Sequence, residues 1–117
     1  EKGFPRYYLS VENGLDRRLS SFARVSLYRI ASEVINNVIR HAECTEYEIQ
    51  FRVNDDCLIF SVEDNGLGLP EDLLIPTNTR GVFNITERAK SIGATVSWKP
   101  SRFSTGTRFE LVMKLDS

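Results

Sequence analysis

The sequence predicts an α/β two-layer sandwich, with helices on one face of a mixed, mostly antiparallel sheet. Three observations carry this. Two segments repeat apolar residues at helical spacing, and four others alternate apolar and polar residues with a period of two. The links at 54–56 and 100–106 are short and rich in turn-forming residues, which suits antiparallel neighbours.

In chain order, Tyr7–Val11 reads as a short strand and Glu12-Asn13-Gly14-Leu15-Asp16 as a loop. Ser20 or Ser21 caps a helix running to about Ala42, with Leu27, Ala31, Val34, Ile35, Val38 and Ala42 as its buried stripe. Tyr47, Ile49, Phe51 and Val53 then alternate with Glu48, Gln50 and Arg52, a half-buried strand. Asn54-Asp55-Asp56 turns it into an antiparallel neighbour, Leu58–Asp64. Residues 66–80 are loop-rich, with one helical turn near Glu71–Leu74. A second helix carries Val82, Ile85, Ala89 and Ile92 on one side and stops at Gly93. Thr95–Lys99 and Thr107–Leu115 complete the sheet.

At 117 residues the chain is one domain, 1–117, in which 1–19 form a leading strand and loop. Hydrophobic residues make up 41% and charged ones 26%, an ordinary globular balance. Fifteen basic and 16 acidic side chains are spread along the chain for a net charge of −1, which excludes a nucleic-acid footprint and a basic membrane-binding surface. No apolar run approaches the roughly 20 residues that span a bilayer. Cys44 and Cys57 lack metal-like spacing and read as packing or exposed thiols of a reducing, cytoplasmic compartment. The first residue is Glu1 and the single Met is Met113, so the chain reads as a piece of a longer protein.

Two features do not belong to a plain sandwich. In "SVEDNGLGLP" (Ser61 to Pro70) the Asn65-Gly66 pair signals a hairpin, yet no strand returns until about Thr95. A buried strand thus delivers Asp64, Gly66 and Gly68 into a loop. In "EVINNVIRHA" (Glu33 to Ala42), Glu33, Asn37 and His41 fall at i, i+4 and i+8 and form a polar ridge beside the apolar stripe, with Arg40 next to it. Asn36-Asn37 weakens the helix, which points to a use for the amide. A neutral oxygen beside a carboxylate suits Mg²⁺, which takes few protein ligands and shares the rest with water and phosphate. Arg40 and His41 can face phosphate oxygens.

Glu33-x-x-x-Asn37-x-x-Arg40-His41, then Asp64-x-Gly66-x-Gly68, then a Gly-led helix with Glu87-Arg88-Ala89, then Gly106-Thr107 into a closing strand, occur in that order. This pattern resembles the ATP-binding catalytic domain of sensor histidine kinases, in the ATPase superfamily that includes gyrase and mismatch-repair ATPases. It is most similar to the nitrate-sensor-type branch, and the likeness covers about Val25 to Leu115.

The resemblance implies a Bergerat-type ATP-binding fold and a site for Mg-ATP. Asp64 would accept the adenine amino group, and Gly66 and Gly68 would let backbone approach the base. Gly106 and Thr107 would complete the adenine side, Thr107 through its hydroxyl. Gly81 and Val82 would open the second helix toward the phosphates, beneath a lid at about 69–79. Asn37 would bind Mg²⁺, with Glu33, Arg40 and His41 as catalytic residues. The partners implied are a His-containing dimerisation domain of the same protein and a response regulator, with no nucleic acid and no direct membrane contact. His41 is the single His, so the phosphoacceptor lies outside this chain. Three departures, Thr79-Arg80-Gly81-Val82 with one lid glycine, Gly93-Ala94 in place of a Gly pair, and "KPSRFSTGT" without a Pro-Gly, bear on the lid and turnover. A serine kinase of the anti-sigma-factor type, or an interaction module that no longer binds nucleotide, are the alternatives on the same fold.

Overall fold

The structure is a computed structural model in which residues 3–67, 80–103 and 105–115 are described. The elements run β1 (Arg6–Val11), a single 3₁₀ turn (Leu15–Arg18), α1 (Ser21–His41), β2 (Glu46–Asn54), β3 (Cys57–Asp64), α2 (Arg80–Ser91), β4 (Ala94–Pro100) and β5 (Thr107–Lys114). The turn anticipated at 71–74 and the lid at 69–79 lie outside the described residues.

The five strands form one sheet in the order β1-β2-β3-β5-β4. β1 is more than the short leader expected: it pairs in parallel with β2 from Arg6↔Glu46 to Val11↔Phe51. The other three pairings are antiparallel. Asp55 and Asp56 both take left-handed φ, 53° and 61°, which is what a two-residue hairpin between right-twisted strands requires.

The period of two decides what each face of the sheet meets. Leu58, Phe60 and Val62 of β3 and Phe109, Leu111 and Met113 of β5 point one way and are buried. Ile30, Val34 and Val38 of α1 and Ile85 and Ala89 of α2 close over them in a single core. Ile30, absent from the stripe read off the sequence, is the α1 residue with no exposure at all. Ser20 starts α1 by accepting a hydrogen bond from the Ala23 N–H at 3.1 Å. Tyr47 is a core residue stacked on Tyr7, and Trp98 packs edge-on against Phe109 with centroids 5.1 Å apart.

The opposite face of the sheet has no helix over it and carries charge instead. Register places Glu48, Glu63, Arg108 and Lys99 side by side across β2, β3, β5 and β4. Among the described residues no helix is long and apolar enough to cross a membrane.

Candidate functional site

β3 ends in three polar residues, each of which ties a different segment. Asp64 is 3% exposed and points into the helix-covered side. Its Oδ1 accepts the Gly66 N–H at 2.9 Å and the Thr107 N–H at 3.3 Å. Its second oxygen has no partner among the described residues, yet none of their fully enclosed side-chain polar atoms lacks one, so that oxygen keeps an opening. Asn65 accepts the Thr45 and Glu46 N–H groups at 3.0 and 3.1 Å and donates to the Thr45 hydroxyl at 2.9 Å. That tether, with the Leu67 N–H donating to the Ala42 carbonyl at 2.8 Å, draws the chain back toward α1. It is the physical reason β3 does not turn into a hairpin.

The two glycines at this end serve backbone packing. A Cβ on Gly66 would lie 2.0 Å from the Ala42 carbonyl oxygen, and one on Gly106 would lie 1.9 Å from the Asp64 carbonyl. Gly106 also has φ +116°, a conformation that a side chain disfavours. Access to a base was the sequence rationale for Gly66; the close approach in the structure is instead to the end of α1. Thr107 meets Asp64 through its backbone N–H. Gly68 lies outside the described residues.

On α1, Glu33 and Asn37 are both half-buried beside the apolar stripe. Glu33 lines a polar cleft of about 400 Å³ between α1 and α2, with Arg29, Asn36, Asn84 and Arg88 among its neighbours. Arg40 is exposed and borders a separate cavity with Phe4, Pro5, Glu43 and Cys44. His41 closes α1, and Gly81 and Val82 lie in the first turn of α2. The structure therefore groups Asp64, Gly66, Gly106 and Thr107 at one strand end and Glu33 in the interhelical cleft. Arg40 stands apart from both.

Adjacent carboxylates on β3 are driven in opposite directions. Burial pushes Asp64 up; the Gly66 and Thr107 N–H groups oppose that, and the charge of Glu63 adds to it. Burial also works to raise Glu63. The Arg102 N–H, the Ser101 hydroxyl and the guanidinium groups of Arg102 and Arg108 outweigh it and hold Glu63 below the usual range. A donor on a ligand binds only ionised Asp64, so affinity should weaken as pH falls through the raised Asp64 pKa, above the ordinary 3.8. Calorimetric titration of ADP between neutral and mildly acidic pH should show the decline, and Asp64→Asn should lack it.

Glu63 and Asn65 were not singled out in the sequence as site residues. The signal for Glu63 was an acid at an interior position of an apolar strand, with Arg102 and Arg108 available to pair with it. Asn65 was hidden by its own turn propensity.

Residues 23–117 match the family described as histidine kinase-, DNA gyrase B-, and HSP90-like ATPase. The sensor protein VraS of Staphylococcus aureus (strain COL) is 36% identical over 90 residues, 77% of this chain and 25% of that protein. The signal transduction histidine-protein kinase/phosphatase UhpB of Salmonella typhimurium is 33% identical over 82 residues, 68% of this chain and 15% of its own length. The nitrate/nitrite sensor protein NarX of Escherichia coli (strain K12) is 32% identical over 76 residues, 65% of this chain and 12% of its own. The chain thus spans a quarter or less of the curated relatives it matches. Among solved structures, the histidine kinase domain of the Erythrobacter litoralis blue-light activated kinase EL346 superposes with a TM-score of 0.83 at 22% identity, covering 97% of this chain and 56% of that one. The ATP binding domain of PrrB from Mycobacterium tuberculosis superposes at 0.68 and 23% identity, over 80% of this chain and 69% of that one. The fold is that of histidine kinase catalytic domains, and the chain belongs to the histidine kinase-, DNA gyrase B- and HSP90-like ATPase family.

Proposed function

We propose that this domain binds Mg-ATP and supplies the γ-phosphoryl group to a His on a separate dimerisation domain of the same protein. In two-component signalling the group then passes to a response regulator, on the cytoplasmic side of the cell. The observation that best supports the reading is Asp64: one oxygen is committed to two backbone N–H groups and the other is left open at the end of a central strand. An ionised carboxylate only accepts hydrogen bonds, so it selects a base with an amino group, as adenine has.

The other roles follow from position. The start of α2 offers N–H groups that have no partner within the helix, and the positive end of the helix dipole, to phosphate oxygens. Asn37 offers a neutral amide oxygen to Mg²⁺. Among the described residues no group of three His, Cys, Asp or Glu side chains can hold a cation alone, so the metal would be shared with nucleotide phosphates. When bound, Mg²⁺ neutralises charge on the group in transfer. Glu33, at the cleft between the helices, orients the attacking nucleophile or takes its proton. Arg40 and His41 act from the end of α1, provided the acceptor domain brings substrate within their reach.

Titration with ATP, with and without Mg²⁺, tests the reading directly; absence of binding in both would overturn it. The isolated chain should show negligible self-phosphorylation with labelled ATP, because its single His is His41. Adding the two-helix acceptor domain should restore transfer. Acid-labile, base-stable label on His41 in the isolated chain would contradict the assignment. Transfer to a Ser-bearing protein, and none to the His-bearing domain, would favour the serine-kinase alternative.

A further inference from the structure

We propose that Glu63 is a positioning residue for the base pocket: its carboxylate, on the uncovered face of the sheet, sets where Gly106 and Thr107 lie against Asp64. The inference rests on Asp64 as the base-reading residue and adds a second carboxylate on which that reading depends.

Residues 101–103 and 105–107 lie against the end of β3, with the Ser101 N–H donating to the Gly106 carbonyl at 3.1 Å. Three consecutive residues of β3 and its extension hold this segment. Glu63 Oε2 accepts the Ser101 hydroxyl at 3.0 Å and the Arg102 N–H at 2.6 Å. Asp64 Oδ1 accepts the Thr107 N–H, and the Asn65 carbonyl accepts the Thr105 hydroxyl at 3.2 Å. Because side chains alternate along a strand, Glu63 grips the segment from one face and Asp64 from the other.

Glu63 has no slack. It is 1% exposed, and its Oε1 is engaged by Arg108 at 2.9 Å and by the Arg102 Nε at 3.4 Å. Arg102 also pairs with Glu48 and lies over the Phe103 ring, 5.4 Å from its centroid. Arg108 is shared with Glu110 at 3.2 Å, and Lys99 pairs with Glu110 at 3.3 Å. The Ser101 hydroxyl donates to the Glu63 carboxylate, and the Arg102 N–H and the two guanidinium groups on it can only donate. An amide at this position must therefore turn its NH₂ toward the Arg102 N–H or toward the guanidinium groups, and one hold on the segment is released. Gly106 cannot hold the geometry alone, since its contact with Asp64 is one of closeness and not of bonding. A site whose supporting groups loosen loses binding even when its own residues are intact.

The test uses Glu63→Gln and, in case that variant is too unstable, Ser101→Ala, which removes the hydroxyl that donates to Glu63 and accepts the Phe103 N–H and leaves every residue of β3 in place. Two readouts are taken well below the melting transition: ADP affinity by calorimetry, and the amide ¹⁵N–¹H signals of Gly106 and Thr107 without nucleotide. Glu63→Gln should weaken ADP about tenfold or more, Ser101→Ala by a few-fold, with both amide signals displaced. The ADP-to-GDP preference should shrink in step, which a loss of stability alone would not produce. Folded variants that bind ADP as wild type does, with unmoved Gly106 and Thr107 signals, would overturn the inference. Failure of the wild type to bind ADP would instead overturn the Asp64 reading on which it stands.

Discussion

ADP should displace a fluorescent ATP analogue from this domain while GDP barely does, and Asp64→Asn should lose most of the affinity for ADP. The argument rests on how Asp64 is already used. Its Oδ1 is fixed by the Gly66 and Thr107 N–H groups, so the other oxygen is the one available to a base. Adenine presents an amino donor there; guanine presents a carbonyl oxygen, and two acceptors facing each other leave both unsatisfied. A site built around a substrate N–H rejects an analogue lacking it strongly. Losing a charge-assisted bond and stranding the carboxylate should amount to on the order of 3 kcal/mol, about a hundredfold in affinity. In Asp64→Asn the amide oxygen must stay on the two N–H groups, which turns the NH₂ toward adenine, donor against donor. If GDP competes as well as ADP, Asp64 only caps the turn, and the pocket assignment fails with it.

Asn37→Ala should weaken Mg-ATP sharply and leave the unliganded fold melting near wild type. Asn37 lies one turn after Glu33, half-buried on the flank of the core stripe, and no side-chain hydrogen bond from it to a described residue is formed. Removing it strands no partner among the described residues, and Ala is the better helix former by about half a kcal/mol. Removing even an outer-shell partner of a metal ligand typically reduces affinity about 10- to 100-fold, and a direct ligand should matter no less. The separation of the two effects is the diagnostic. Calorimetry with and without Mg²⁺ should show the loss only in the presence of metal, and equal Mg-ATP affinity in the variant would remove the metal role from Asn37.

These two residues also show why parts of the site were legible in the sequence. Asn37 and Glu33 sit on one long helix, where spacing alone fixes which side chains share a ridge. Asp64 stands where the strand β3 ends in the sequence, and its role at the base was implied by the resemblance to histidine kinase domains. The elements themselves were legible for the same reason: helical and strand periods are local, and α1, α2 and β2 to β5 lie within a residue or two of where those periods put them.

What only the tertiary structure decided is everything that depends on two segments meeting. The parallel pairing of β1 with β2 joins residues forty apart and leaves no mark in either period. Gly66 and Gly106 look in the sequence like partners for a ligand; in three dimensions their close neighbours are the Ala42 and Asp64 carbonyls. Glu63 reads as one more residue of a strand until β5 and the segment at 101–103 bring four donors onto its carboxylate. The sequence determined a two-layer α/β domain with its polar ridge and its Asp-x-Gly turn, because those follow from the spacing of neighbours along one chain. Which groups those residues touch, and so which of them shape a pocket, was decided by long-range pairing, where burial and hydrogen-bond partners come from segments that no local pattern connects.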